Sequence, residues 1–101
     1  MRKAKSSINT EKLFTSAEIL RAIAHPLRMK ILGFIDQNEN INVNKIYNTM
    51  KLEQSITSQH LRVLRAAGLV STEKNGKFRH YNVNYQKVTQ VLSAINNFET
   101  N

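Results

Sequence analysis

The sequence predicts an α+β domain in which four helices precede a β-hairpin and one further helix follows it. Three observations support this prediction. Apolar residues recur at helical spacing as far as Ala67, and the spacing becomes alternating after Gly68. The pair Asn75-Gly76 is the strongest short-range signal for a hairpin turn. Helical spacing then returns from Tyr85 onward.

The first helix is expected to begin at either Thr10 or Thr15 and to end near Ala24. Thr15 competes with Thr10 as the start because the stretch from Thr15 to Glu18 has the pattern of a capping box. The apolar residues that follow recur at steps of three and four, as a helix with one buried face requires.

His25-Pro26 separates the first helix from the second. Proline cannot continue a helix, but it suits the first turn of a new one. His25 is therefore interpreted as a structural turn residue. The apolar residues from Leu27 to Ile35 predict the second helix, and residues 36–40 are predicted to form a polar loop.

Two short helices separated by a tight turn are predicted next. Asn42 can cap the third helix, whose apolar stripe includes Ile46 and Met50. Residues 51–54 form the predicted turn. Residues 55–67 read as the fourth helix, with Leu61 and Leu64 facing inward and Gly68 at its C-terminal cap.

The hairpin is predicted from residues 69–73 and 77–83, with Phe78, Tyr81 and Val83 as the apolar members of the second strand. Two short helices joined by a turn and followed by a basic hairpin form a helix-turn-helix with a wing. The predicted fold is therefore a winged helix-turn-helix with four helices, a β-hairpin wing and a C-terminal helix.

The length of the chain limits it to one domain. Of its 101 residues, residues 1–10 are polar and basic and are expected to form a flexible N-terminal arm. Residues 11–101 are expected to form a single domain for both DNA binding and dimerisation. There are no internal repeats and no linker long enough to divide the chain.

The composition narrows the function. Fifteen Lys and Arg residues against 7 Asp and Glu give a formal net charge of +8, which suggests a polyanionic partner. The absence of cysteine excludes disulfides, thiolate metal sites and thiol redox sensing. No apolar run approaches the roughly 18 residues of a membrane span, and no signal-peptide segment is visible. We therefore expect a cytoplasmic protein without a membrane partner.

Four segments resemble the ArsR/SmtB family of repressors. Residues 24–32 (AHPLRMKIL) resemble an opening motif of the family, and residues 54–64 (QSITSQHLRVL) resemble its recognition helix. Residues 67–70 (AGLV) look like the exit from that helix, and residues 74–81 look like the wing. The resemblance covers about residues 16–95. It implies a homodimeric transcriptional regulator that binds an inverted-repeat operator in double-stranded DNA, usually as a repressor that an effector releases.

The expected DNA contacts lie on the fourth helix and the wing. Short and medium polar side chains near a helix N-terminus supply the donors and acceptors that read the major groove. The resemblance places such contacts at Gln54, Ser55, Ser58 and Gln59, with Arg62 as a further candidate. It also implies that Thr57 faces inward. The wing carries Lys74, Lys77 and Arg79, which can contact phosphates. Edge-strand protection by lysine is the alternative interpretation of the wing charges.

The dimer is expected to form through the first and last helices. The apolar stripe of the last helix has no further element to cover it, so a monomer would leave it partly exposed. The alternative is that this stripe packs only on its own core. The expected interface residues are Leu13, Phe14, Ala17, Leu20, Val88, Val91, Leu92, Ile95 and Phe98.

The family's metal ligands are not matched. The thiolate pattern of the third helix would fall near Tyr47 and Thr49, and the carboxylate and histidine pattern of the last helix would fall near Tyr85, Lys87, Phe98 and Asn101; none is a plausible transition-metal ligand. We expect no metal site and no cofactor. An organic ligand, a partner protein or no effector at all remain open.

Three alternatives remain beside an operator-binding regulator. The domain can bind RNA or architectural DNA with little sequence preference, or it can be a protein-interaction module whose charge is incidental. An enzyme is disfavoured, because the three histidines are scattered and no paired acidic motif or phosphate loop is present. His60 is expected to pack or bond at the seam of the helix-turn-helix, and its protonation is a weaker hypothesis.

Overall fold

The computed structural model describes residues 9–99, and their side chains as far as Asn97. The elements in chain order are α1 (Thr10–Ile23), α2 (Pro26–Asn38), β1 (Ile41–Asn42), α3 (Val43–Met50), α4 (Gln54–Ala66), β2 (Val70–Asn75), β3 (Phe78–Val83) and α5 (Tyr85–Glu99). The predicted α+β winged helix-turn-helix is confirmed. Residues 1–8 of the expected arm lie outside the described part, and Thr10 already belongs to α1.

The start of α1 is set by Asn9 and not by the capping box at Thr15. The side-chain oxygen of Asn9 accepts a hydrogen bond from the backbone N–H of Lys12 at 3.0 Å. Thr15 lies within the helix, where its hydroxyl donates to the carbonyl of Glu11 at 3.0 Å. Glu18 pairs with Arg21 at 2.8 Å. The capping-box interpretation was wrong, because the segment has a better cap at Asn9, before Thr15.

The junction between α1 and α2 has the predicted form. His25 is the N-cap of α2, and its Nδ1 accepts a hydrogen bond from the N–H of Leu27 at 3.2 Å, with Pro26 in the first turn. The predicted loop over residues 36–40 was partly wrong, because α2 continues to Asn38 along its exposed side. The helix ends where Glu39 and Asn40 adopt positive φ values of 43° and 48°.

The sheet has three antiparallel strands in the order β1-β3-β2. The two-residue strand β1 was not predicted, because it is too short to show an alternating pattern. Ile41 pairs with Tyr81 in β3, and the Asn82 side chain accepts a hydrogen bond from the N–H of Asn40 at 2.6 Å. These contacts attach the end of α2 to the hairpin.

The hairpin turn differs by one residue from the Asn75-Gly76 prediction. Asn75 pairs with Phe78 across the two strands, so the two turn residues are Gly76 and Lys77. Gly76 has a φ of 69°, and a glycine with positive φ at the first central position is typical of a type II′ turn. The strand predicted over residues 69–73 is β2, and it begins and ends later than predicted, at Val70 and Asn75. Leu69 lies in the core directly before it.

The core lies where α2, α3 and α4 meet the sheet. Its fully buried side chains are Ile31, Ile35, Ile46, Thr57, Leu61, Leu64 and Leu69. Asn84 attaches α5 to this core: its N–H donates to the carbonyl of Leu69 and its side-chain amide donates to the carbonyl of Gly68, both at 2.9 Å. Within residues 9–99, no helix is long and apolar enough to cross a membrane.

Candidate nucleic-acid interface

The helix-turn-helix consists of α3, a three-residue turn and α4. Lys51 ends α3 in the left-handed conformation with a φ of 56°, and the N–H of Leu52 then donates to the carbonyl of Tyr47 at 2.8 Å. Leu52 packs against the core, and Thr57 is completely buried, as predicted. The hydroxyl of Thr57 donates to the carbonyl of Glu53 at 2.9 Å, so a buried polar group has its partner. These contacts fix the start of α4 on the domain.

The opposite face of α4 is polar and open to solvent. Gln54, Ser55, Gln59 and Arg62 are exposed, and Ser58 is half-buried. The N-cap Glu53 makes no side-chain hydrogen bond to the helix backbone, and its carboxylate instead accepts from the hydroxyl of Ser55 at 3.2 Å. The first N–H groups of α4 therefore remain available to a ligand, which is the arrangement that favours an anion at a helix N-terminus.

The wing is formed by β2 and β3. Lys74 lies directly opposite Arg79 in the strand register, and Lys77 occupies the turn. Like charges in directly opposite positions destabilise a strand pair, so their presence favours an anion that neutralises them. Arg79 lies in β3, where its guanidinium donates to the hydroxyl of Thr72 at 2.9 Å.

A cluster of His25, Arg28 and His60 joins α1, α2 and α4. The rings of His25 and His60 are 4.8 Å apart between centroids, and Arg28 Nη1 lies 3.2 Å from His60 Nδ1. Burial lowers the pKa of His60, and the neighbouring His25 and Arg28 lower it further. His60 of α4 therefore bonds where the helix-turn-helix meets α2.

An exposed apolar surface lies on the two terminal helices. Leu13, Phe14, Leu20 and Leu92 are exposed to 60%, 68%, 43% and 55%. Ala17, Val88 and Ile95 are half-buried. Val91 departs from the expectation, because it is buried in the core of its own protomer and has little area to offer a partner. The side chain of Phe98 lies outside the described residues.

Known proteins are similar in sequence to most of this chain. The family described as "Bacterial regulatory protein, arsR family" matches residues 25–72, from the His25-Pro26 junction into β2. The transcriptional repressor PagR of Bacillus anthracis is 34% identical over 80 residues, which cover 79% of this chain and 80% of PagR. The chain belongs to the ArsR family.

Solved structures agree with membership of the ArsR family. The crystal structure of PagR is 31% identical, with a TM-score of 0.70 over 86% of this chain and 99% of PagR. NolR from Sinorhizobium fredii is 32% identical, with a TM-score of 0.77 over 96% of each chain. A homodimeric winged helix-turn-helix DNA-binding domain from Mycobacterium bovis shares the fold, with a TM-score of 0.77 at 20% identity, over 98% of this chain and 91% of that domain. This ArsR-family chain is thus a DNA-binding transcriptional regulator.

Three of the positions that correspond to the family's metal ligands, Tyr47, Tyr85 and Lys87, have contacts in the described part of this ArsR-family protein. Tyr47 accepts a backbone hydrogen bond through its carbonyl. The hydroxyl of Tyr85 donates to Asp36 at 2.5 Å, and this hydrogen bond is the main cause that raises the pKa of Tyr85. Lys87 is half-buried beside Gly68. In the described part of the chain, no three His, Asp or Glu side chains cluster in a way that could hold a metal ion.

Two exposed apolar side chains near the expected DNA contacts were missed in the sequence. Ile56 follows Ser55 in the first turn of α4, and Phe78 follows the turn of the wing. Strand parity could have separated Phe78 from Tyr81, because residues three positions apart lie on opposite faces of a strand. Helical spacing could likewise have shown that Ile56 points away from the stripe that contains Thr57.

Proposed function

We propose that this ArsR-family regulator binds an inverted-repeat operator as a homodimer and represses transcription in the cytoplasm. The observation that carries the proposal is the placement of α4: Thr57 and its apolar neighbours fix one face to the core, while the polar face stays open. That arrangement presents a helix to the major groove, which admits an α-helix and displays a distinct pattern for each base pair.

The proposed base contacts are made by Gln54, Ser55, Ser58 and Gln59. A glutamine can pair with adenine through two hydrogen bonds, and a serine hydroxyl can reach bases or phosphates. The Ser55 hydroxyl must turn from Glu53 toward the DNA to do so. Ile56 adds an apolar group suited to the methyl of thymine. Arg62 lies further along the exposed face and contacts the DNA backbone.

The proposed phosphate contacts are made by the wing. The opposed Lys74 and Arg79 and the turn residue Lys77 concentrate three cationic side chains on one hairpin. Phosphate contacts supply affinity and salt dependence, while base contacts supply specificity. The wing therefore strengthens binding to every duplex, and α4 selects among duplexes.

The proposed dimer covers the exposed apolar surface of α1 and α5. A two-fold arrangement presents two copies of α4 to half-sites centred about 10 base pairs apart, or a multiple of that. The main interface residues are Leu13, Phe14, Leu20 and Leu92, flanked by Ala17, Val88 and Ile95, with Phe98 as a further member.

The proposal is tested by separating specificity from charge. Genomic fragments retained by the purified protein supply an operator, and fluorescence anisotropy then compares operator with random duplex across a salt series. Gln59→Ala should cost on the order of 1–3 kcal/mol on the operator and little on random DNA. Lys77→Ala should weaken both nearly equally and lower the salt slope by about 1 for each phosphate that the wing no longer neutralises.

Each outcome has a defined meaning. If Gln59→Ala weakened random and operator DNA alike, α4 would not be the recognition helix. An unchanged salt slope for Lys77→Ala would leave the wing as a protected sheet edge. A wild type that bound random and selected DNA equally would refute the specific operator and favour a low-specificity nucleic-acid protein.

A further inference from the structure

Arg28 connects the end of the dimerisation helix with the recognition helix. Its Nε donates to the carbonyl of Ala22 at 2.6 Å, and its Nη2 donates to the carbonyl of Arg21 at 3.1 Å. These carbonyls belong to the last turn of α1. Its Nη1 lies 3.2 Å from Nδ1 of His60, which is on α4. One side chain from the first turn of α2 therefore contacts both α1, the proposed dimerisation helix, and α4, the proposed recognition helix.

The direction of these bonds determines the protonation state of His60. A guanidinium has five N–H donors and no acceptor, so Nδ1 of His60 must accept the hydrogen bond from Arg28. A histidine that accepts a hydrogen bond is neutral, because both ring nitrogens of the cation are donors. Acid therefore removes an acceptor and places a positive charge against Arg28.

Within the described residues, the surroundings of His60 contain no group that stabilises its cation. The two charges that act on it, His25 and Arg28, both lower its pKa, in addition to burial. None of the other ionisable groups on α4 and on the elements packed against it is among the causes that shift the pKa of His60; these groups are Glu11, Lys12, Glu18 and Arg21 on α1, Lys30 and Asp36 on α2, Lys45 and Tyr47 on α3, Glu53, Arg62 and Arg65 at and along α4, and Glu73 and Lys74 on β2.

We propose that Arg28 is a positioning residue that holds the recognition helix at a fixed angle to the dimerisation helix through neutral His60, and that protonation of His60 releases this connection and weakens operator binding. The inference rests on the proposed function, because the angle matters only if α1 sets the dimer and α4 reads DNA. A dimer must place both copies of α4 in the major groove at once, so a loosened α4 loses the operator before it loses random DNA.

The pH window follows from the direction of the shift. In the unfolded chain His60 titrates near its ordinary value of 6.5, whereas in the folded protein its pKa is lower. The unfolded chain therefore binds the proton first, and the contribution of neutral His60 is complete above pH 6.5 and is lost as the pH falls through the folded value. Below that value the operator affinity falls by at most about tenfold per pH unit for each protomer, or about a hundredfold for a dimer.

The test compares operator with random DNA for four proteins between pH 7.5 and about pH 4.5, which reaches roughly two units below the ordinary histidine pKa because the pKa of folded His60 is lowered. The wild type should lose its preference for the operator as the pH falls, although protonation adds positive charge that favours any DNA. His60→Asn should keep the preference at both pH values, because the amide oxygen can accept from Arg28 and does not titrate. Arg28→Met should show a low preference at both. The control His80→Asn, which changes a half-buried histidine of β3, should behave as the wild type does.

The results test the Arg28–His60 connection separately from the proposed operator binding. A wild-type preference that does not change with pH, or an acid loss that persists in His60→Asn, would overturn the proposal. To separate these results from a failure of operator binding itself, the histidine ring protons and the α4 amides are followed by NMR without DNA. The α4 amide shifts should move with the titration of His60 in the wild type and not in His60→Asn. Shifts that do not follow His60 would refute the link even if operator binding were confirmed.

Discussion

Replacing Leu92 by aspartate should weaken the dimer while leaving the fold of each protomer intact. Leu92 is 55% exposed in the protomer, so about half of its apolar surface remains to be covered by a partner. Burying a whole leucine side chain contributes about 1.5–3 kcal/mol, and the uncovered half therefore contributes about 1 kcal/mol. A two-fold interface uses the residue twice, giving about 2 kcal/mol per dimer. That loss raises the dimer Kd about 30-fold, and an unpaired carboxylate in the interface raises it further.

The assay is sedimentation or light scattering over a concentration series, with circular dichroism to confirm that the protomer is folded. Ser93→Asp is the matched control, since it adds the same charge to the neighbouring exposed position of α5, away from the apolar stripe. Leu92→Asp should be a folded monomer at concentrations where Ser93→Asp and the wild type are dimers. A wild type that is monomeric at tens of micromolar, roughly the useful range for weak dimers, would refute the reasoning, as would equal effects of both substitutions.

Three further outcomes are expected. Micromolar zinc, cobalt or cadmium should leave the protein–operator complex intact, because the corresponding positions carry Tyr47 and Lys87; release by about one equivalent per protomer in a titration would reveal a missed site. Asn84→Ala removes the hydrogen bond to Gly68 and should lower the free energy of unfolding by about 1–2 kcal/mol in urea, whereas a stability equal to the wild type would mean that water replaces the amide. Thr57→Val should cost about 1 kcal/mol of unfolding free energy because its hydrogen bond to Glu53 is removed, and a larger loss would show that the backbone of α4 shifts.

The recognition helix illustrates what could be predicted from the sequence. Its buried positions, Thr57, Leu61 and Leu64, recur at helical spacing, so the exposed polar face follows directly from the pattern. His25 as a turn residue and Asn42 as a cap were predicted for the same kind of reason, because each acts on the backbone within three residues of itself. The family resemblance then supplied the function of the exposed face.

The errors arose where two local signals competed. Thr15 and Asn9 both offer a cap to α1, and spacing alone could not rank them; the structure uses Asn9. The polar residues at 36–40 suggest a loop, yet an exposed helical turn accepts the same residues. Val91 and Leu92 are neighbours on α5, but Val91 belongs to the buried core and Leu92 stays exposed. An apolar stripe on a helix predicts which way a side chain points, but it does not predict whether the protein's own core or a second protomer covers that side chain.

The sequence by itself determined the five helices, the hairpin and their order, because helical spacing, alternation, caps and turn residues act between neighbours along the chain. Only the tertiary structure decided which residues from distant parts of the chain contact one another. The strand partner of Ile41 and the contact of Arg28 with His60 join residues whose separation along the chain carries no periodic signal. Arg28 and His60 meet because packing of α1, α2 and α4 around one core brings the start of one helix beside the middle of another, and no local pattern encodes that distance.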